Sequence, residues 1–519
     1  MNPHIVRARS YFSYALLLSC LCFLCSGPVI ARADERLYQR GYDTLYDYYN
    51  RGIRIDIECH SGTPPVLEWV LESGKKEELR QVSFDFESDG EIDLTLDDVG
   101  REVLFRGVPY RSPGTYLATV FIETVNGKFM REHRISYTDF VWGRDNFRFA
   151  NDGTFENSVG FVSETLVDWA HDRFGDLSTE QKLLLIYLMY SIYKGSIGRC
   201  YGFAGGESYY HSYPEALPRQ YDSVYEIDEA DGWIVKQMDY LQNDIVFTNF
   251  VTGRIDIEGD QEKEELVSQL EIIREHIEKG DTVIMPYLSV RMHHSMVVYG
   301  YIKDLREGRV TLVTANNWER DQENNTYSED AENIVVDLLS SGHNITWYDL
   351  TKKRHRYPDK IYAIPNETGF VLDREDFLAL LERTRKKLIE NDRIVLMVEE
   401  AEQAYIVDGE GKQAGYKRPR TMREIQDIDF KKIDYNYVFE VGRGEEYLLH
   451  LAEPRYNKQK HMYKRVNLFC LFPGPGGLKP LLARDIDLSQ QCTFRIDGET
   501  SSVAVYEDEE EAAVASDKS

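Results

Sequence analysis

Cys200, His294 and the adjacent pair Asn316 and Asn317 are the residues of this chain whose types and order can do covalent chemistry. A thiol becomes a good nucleophile when its thiolate is favoured, by a helix N-terminus or by a neighbouring imidazolium. An imidazole can take the thiol proton and return it to a leaving group. An amide oxygen bonded to the far ring nitrogen then fixes the imidazole tautomer. Cysteine, histidine and asparagine at the edges of three expected elements would supply a nucleophile, a base and an orienter. Either asparagine can fill the last role, because both end the same strand-like run.

The elements that must position these groups are legible around them. Cys200 sits in Gly198-Arg199-Cys200-Tyr201-Gly202-Phe203-Ala204-Gly205-Gly206, where the glycines permit a tight entry turn and a close approach to a substrate. Cys200 is expected to open a helix that Gly202, Gly205 and Gly206 weaken. Strand alternation from His294 puts His294, Met296, Val298 and Gly300 on one face and His293, Ser295 and Val297 on the other, so only one histidine is expected to meet Cys200. The next strand, residues 309–315, ends at the two asparagines. A buried cysteine is usually inert packing, and a histidine on a strand is usually structural; the three-part order is what points beyond those readings. Cys200, His211, His293 and His294 lack any compact metal-ligand spacing, so no metal or cofactor is expected at this site. Cys59 and His60 read as packing residues.

This order, with the histidine leading Val297-Val298-Tyr299-Gly300-Tyr301, resembles the papain-like cysteine peptidase superfamily. More narrowly, it is similar to secreted bacterial domains that join a Gly-x-Cys-aromatic-Gly motif to such a strand. Those domains often place a helix and a Lys-Gly-Asp-x-Val strand before the histidine, matched here by Lys279-Gly280-Asp281-Thr282-Val283. The resemblance spans about residues 146–365. It implies Cys200 as nucleophile, His294 as base and Asn316 or Asn317 as orienter. Two departures stand out. Related domains often end the last strand in Asp-Pro-Asn, where this chain has Ala315-Asn316-Asn317. Papain also carries a Gln shortly before its Cys as an oxyanion donor, and residues 191–199 contain none; the Cys200 N–H can serve as one donor.

A chain of 519 residues suggests about three or four domains at roughly 150 residues each. The net charge of −28 argues against nucleic-acid partners, which need concentrated Lys and Arg. The start reads as a signal peptide over residues 1–33, with Arg7 and Arg9, an apolar run from Tyr11 to Cys25, and Ala31-Arg32-Ala33 before the cut. That run is too short for a comfortable membrane span, and lipid attachment at Cys20 is the alternative. The expected location is secreted, periplasmic or cell-surface. Cys59, Cys200, Cys470 and Cys492 remain after cleavage, a sparse disulfide framework in which Cys470 and Cys492 are the pair suited to bond.

The expected fold is multidomain: a papain-like α+β central domain over residues 146–365, an all-β sandwich over 34–145 before it, and a β-rich domain over 366–505 after it. An acidic tail, 506–519, reads as disordered. Ser83 to Asp93 followed by Ser112-Pro113-Gly114-Thr115-Tyr116 resembles a PKD-type immunoglobulin-like sandwich. Asp85, Glu87 and Asp89 with Gly90 copy the start of a calcium loop, but Leu96 stands where that loop needs a Glu, so a polar turn is the favoured reading and calcium near Asp85 and Asp89 the lesser one. Ala404 to Tyr416 resembles a hairpin motif near the ends of secreted bacterial proteins. Asn324, Asn344 and Asn366 head N-x-Thr sequons.

Three functions follow as expectations. The first is a cysteine peptidase acting on a protein or peptide through an acyl-enzyme. The second uses the same machinery for acyl transfer to an amine, as transglutaminases do. The third is non-catalytic: a surface or adhesion protein that uses a papain-like scaffold, with its β modules holding a cell-surface or polymer partner.

Overall fold

A computed structural model of the chain describes residues 5–8, 53–60, 66–74, 78–149, 163–192, 199–228, 231–256, 261–289, 292–305, 308–316, 320–321, 326–327, 332–338, 345–349, 354–433, 435–454, 456–457, 462–463, 465–486, 492–507 and 510–512. Asn317, Gly198, Cys20, the sequons at Asn324 and Asn344 and the last seven residues of the acidic tail lie outside them, as does the expected signal peptide apart from Ile5–Ala8. The fold is mixed α+β, with several antiparallel sheets and a helical central region.

In the first region Ile53–His60, Val66–Ser73 and Glu102–Gly107 form one sheet, with Ile5–Ala8 along its Glu102–Gly107 edge. Leu79–Asp85, Leu94–Gly100, Gly114–Thr124 and β1 (Lys128–Tyr137) form a second. Alternating apolar residues meet between them, with Trp69 set edge-on to Phe84 at 5.5 Å between ring centroids. The acidic stretch is a turn that caps itself: the Asp85 carboxylate accepts the N–H groups of Asp89 (3.2 Å) and Gly90 (2.9 Å), and Asp93 accepts that of Phe86 (2.7 Å).

Helices α1 (Ser163–Phe174), α2 (Thr179–Ile192), α3 (Cys200–Ser212), α4 (Gly232–Ile245) and α5 (Lys263–Lys279) follow, α4 running on into a π turn at Val246–Val251. The cap before α2 is a reciprocal one: Gln181 donates its N–H to Ser178 Oγ at 3.2 Å, and Ser178 donates its N–H to Gln181 Oε1 at 2.9 Å. Then come β2 (Val283–Ser289), β3 (Met292–Asp304) and β4 (Arg309–Ala315).

The first half of β3 pairs with β2, and its second half pairs with β1, Gly300 standing opposite Tyr137 and Asp304 opposite His133. One sheet therefore runs from the first region into the central one. Two helices cover its central part. On one face α5 buries Leu266, Leu270, Ile273 and Ile277 against Met285, Met296, Val298 and Leu312. On the other, α3 packs with Ile284, Leu288, Val297 and Tyr299. Each fully buried aliphatic side chain contributes roughly 1.5–3 kcal/mol, so the sheet is clamped from both sides.

Beyond Pro365, α6 (Arg374–Glu390) lies on a sheet built around β5 (Arg393–Glu399), and a second sheet faces it across a core containing Leu396, Ile406, Phe439 and Phe472. Cys470 and Cys492 are both free thiols on different sheets, against the expectation that they pair. The Cys470 side chain fills the core between the layers and burial pushes its thiol well above the usual range. Among the described residues no helix is long and apolar enough to cross a membrane.

Candidate active site

Cys200 is the first residue of α3, as expected, and the helix forms despite its glycines. Close packing is the reason. A β carbon at Gly202 would lie 2.3 Å from the Met238 carbonyl oxygen of α4, and one at Gly206 would lie 2.9 Å from the Phe147 ring. The glycines thus sacrifice helix propensity, about 1 kcal/mol each, for the contact that α4 and the core make with α3. At the helix start Gln242 Oε1 accepts the Gly202 N–H at 2.8 Å, standing in for a side-chain cap that Arg199 does not supply.

The structure joins two of the expected residues directly. His294 Nε2 and Asn316 Oδ1 are 2.8 Å apart. An amide oxygen only accepts, so Nε2 carries the proton and Nδ1 is the basic nitrogen of the neutral ring. Local register explains the contact. Ala315, the last residue of β4, pairs with Val297; one further step sets Asn316 beside Met296 on the His294 face, a diagonal neighbour of the ring. Tyr287, directly across from His294 on β2, closes that face with its ring centroid 5.5 Å away. Asn316 is thereby the asparagine brought to His294, and Asn317 lies outside the described residues.

Cys200 approaches the same strand differently from the expectation. The face of β3 that packs on α3 is that of Val297 and Tyr299, whereas His294, Met296 and Val298 turn toward Tyr287 and α5. The thiol meets β3 at its edge instead. Among the described residues, pairing with β4 begins only at Val297, and the Ser295 N–H in the unpaired stretch before it acts on the Cys200 thiol in the direction that favours the thiolate. That amide belongs to the residue after His294, and sharing a face is not what selects the histidine.

The electrostatics of the thiol also differ from the expectation of a favoured thiolate. Burial pushes Cys200 up to about 12, while the N–H groups of Ser295, Tyr201 and Cys200 itself act in the opposite direction. The cation beside it gives little help, because the Arg199 guanidinium is committed to Asp239, with Nη2 3.1 Å from Oδ2. The resting group is a neutral, buried SH. Cys59 is a buried free thiol pushed up to about 12 by burial. Its N–H and C=O are tied to the side chain of Asn333, which pairs with Val313 of β4.

Asp239 and Gln242 are the site neighbours that sequence reasoning missed. Both lie on α4, whose signals were present: Asp231 caps it by accepting the Trp233 N–H, and Ile234, Met238, Leu241 and Ile245 recur at helical spacing. His211, weighed as a ligand near Cys200, sits at the far end of α3 and bonds Asp139 at 3.0 Å. Glu58, His60 and Glu68 form one group able to hold a metal, on the first-region sheet. Asn366, the sequon asparagine within the described residues, is buried, and its amide is engaged by Ser208 and Ser212.

No known protein family matches the chain, and comparison with curated proteins finds no relative.

Proposed function

We propose that the protein is a secreted cysteine hydrolase, most simply a peptidase, whose nucleophile is Cys200, base His294 and orienter Asn316. The observation that carries the reading is the 2.8 Å contact of His294 Nε2 with Asn316 Oδ1; the Ser295 N–H, next along the chain from His294, acts to favour the Cys200 thiolate. With Nε2 protonated, Nδ1 can take the thiol proton as Sγ attacks a carbonyl carbon. The C–N bond of the tetrahedral adduct then breaks as Nδ1–H protonates the leaving amine. Water, deprotonated by the same nitrogen, then attacks the acyl carbon; the C–S bond breaks, the acid leaves, and Nδ1–H returns its proton to Sγ. The Cys200 N–H at the start of α3 can stabilise the developing oxyanion. Since burial keeps the resting thiol neutral, proton removal accompanies attack, and a substrate must open the cover over Cys200.

The test is hydrolysis of a diverse peptide pool by the mature chain, beside Cys200→Ser, His294→Ala and Asn316→Ala. Loss of cleavage on the order of 10⁴-fold in the first two, and a smaller loss of roughly 10²-fold in the third, is expected. Cleavage that survives Cys200→Ser overturns the reading. Product partitioning when an amine competes with water separates hydrolysis from acyl transfer.

The neutral, buried thiol favours a second reading, a binding scaffold without chemistry. In that case the pool is untouched by the wild-type chain, and Cys200→Ala keeps all binding to surfaces or polymers.

A further inference from the structure

The C-terminus of α5 gathers three metal-ligating side chains that the proposed chemistry does not use. His276 Nδ1 lies 3.9 Å from Asp281 Oδ2 and 3.8 Å from Glu367 Oε2, and all three ligand atoms fall within 4.8 Å of one another. His276 Nδ1 is buried and makes no hydrogen bond. The carboxylates are too far for a good bond to it yet close enough to repel each other. An imidazole nitrogen without a partner, two carboxylates beside it and a helix C-terminus whose carbonyls favour positive charge describe a cation site.

Main-chain geometry sets two of the ligands in advance. Gly280 adopts a left-handed φ of 92°, ending α5, and Asp281 then donates its N–H to the His276 carbonyl at 3.0 Å. That bond fixes where both side chains start. Glu367 comes from the short helical turn Asn366–Gly369. A tetrahedral ion with bonds of about 2.0–2.1 Å needs ligand atoms roughly 3.3–3.4 Å apart. Each carboxylate therefore has to move in by about 0.5 Å, and Asp281 and Glu367, 40% and 55% exposed, are free to do so. Nitrogen plus oxygen ligands suit a borderline ion such as Zn²⁺, whereas Ca²⁺ and Mg²⁺ favour oxygen alone.

We propose that His276, Asp281 and Glu367 bind a divalent transition-metal ion of the Zn²⁺ type, which clamps the floor beneath α3. The clamp follows from the neighbours of the ligands. Thr282, next to Asp281, has its hydroxyl 2.7 Å from that of Ser208 in α3. Asn366, next to Glu367, accepts from the Ser208 hydroxyl at 3.0 Å and donates to its carbonyl at 3.1 Å and to the Ser212 hydroxyl at 2.8 Å. An ion joining Asp281 to Glu367 ties together the two segments that grip one serine of the Cys200 helix. The site does not depend on Cys200 being catalytic.

Calorimetric titration of the metal-free mature chain with Zn²⁺ tests this, with amide hydrogen exchange followed in parallel. One site is expected, weakened at least about tenfold in His276→Gln and in Glu367→Gln and unchanged in Glu58→Gln, which alters the other metal-capable group. Zn²⁺ should slow exchange of the amides from Ser208 to Ser212, and Ca²⁺ at the same concentration should not. Zn²⁺ uptake that is absent, or unaffected by both site variants, overturns the site. Uptake without slowed exchange in α3 overturns the clamp, and equal binding of Ca²⁺ overturns the ion class.

Discussion

The α carbon of Gly202 faces the Met238 carbonyl so closely that a β carbon built there would sit 2.3 Å from the oxygen. Neither partner can yield easily: one is helix backbone in α3, the other helix backbone in α4. Gly202→Ala must separate the two helices and break the bond from the Gly202 N–H to Gln242. We expect a loss of about 3 kcal/mol or more, the upper range for overpacking, read from urea unfolding. Gln242→Ala, which removes the cap, should cost about 1–2 kcal/mol. A neutral Gly202→Ala would mean that α3 and α4 are not packed as described.

Thiol reactivity should run opposite to what a thiolate–imidazolium pair gives. Burial pushes Cys59 and Cys200 up to about 12 and holds Cys470 higher still, while Cys492 is only half-buried. Between pH 7 and 9 Cys492 is expected to alkylate first in the folded chain. Cys200 should react slowly, with a rate rising nearly tenfold per pH unit because the thiolate is the reacting form. His294→Ala should leave that slow rate unchanged. Mass-spectrometric site mapping against pH decides it: fast Cys200 labelling at pH 7 that disappears in His294→Ala overturns the account of the resting site.

The parts of the fold that were legible are those whose signal is local. The helices Ser163–Phe174, Thr179–Ile192, Lys263–Lys279 and Arg374–Glu390 carry their signal locally, because apolar spacing and caps are written within each. His294 and Asn316 were legible for a related reason, since both sit at the ends of strands joined by a short connection. The pairing of β1 with β3 was not, because residues so far apart in the chain carry no local mark of contact. Nor was the edge approach of Cys200: alternation tells which face a side chain takes, but not that a thiol meets the main chain where pairing stops. The failed Cys470–Cys492 bridge has the same origin, as two β-like runs were treated as neighbours when they belong to different layers.

Acid should weaken the junction between the first region and the central sheet through His133. This residue is buried on β1 opposite Asp304 of β3, its ring edge-on to Trp69. Burial pushes its imidazole down to about 4, Arg131 acting in the same direction and Asp304 and Asp56 against it. The unfolded chain binds a proton near pH 6.5 that the folded chain refuses. Stability from this group is therefore full above about pH 6.5 and falls as pH drops toward 4, by up to about 3 kcal/mol. Urea midpoints at pH 7, 5 and 4 should show that fall in the wild type and a shallower one in His133→Gln. Equal slopes would remove His133 as the cause.

The central helices are bound to the C-terminal sheet by two tyrosines, and one of them is expected to matter more. Tyr187 donates its hydroxyl to Glu440 at 2.6 Å, and Tyr190, one turn on in α2, donates to Glu399 at 2.8 Å. Glu399 belongs to β5 and is buried, its other oxygen 3.3 Å from the Asn467 amide. Removing the Tyr190 hydroxyl takes a donor from a carboxylate that water cannot reach, whereas Tyr187 is half-buried, at the rim of the contact. Hydrogen bonds to charged groups contribute about 1.5–3 kcal/mol, more when the partner is left buried. Tyr190→Phe should therefore cost about 2–3 kcal/mol and Tyr187→Phe under about 1.5 kcal/mol. Double substitution with Glu399→Gln should restore part of the Tyr190→Phe loss, because the neutral amide removes the stranded charge. If Tyr190→Phe and Tyr187→Phe cost the same, burial of Glu399 is not what sets the strength of this contact.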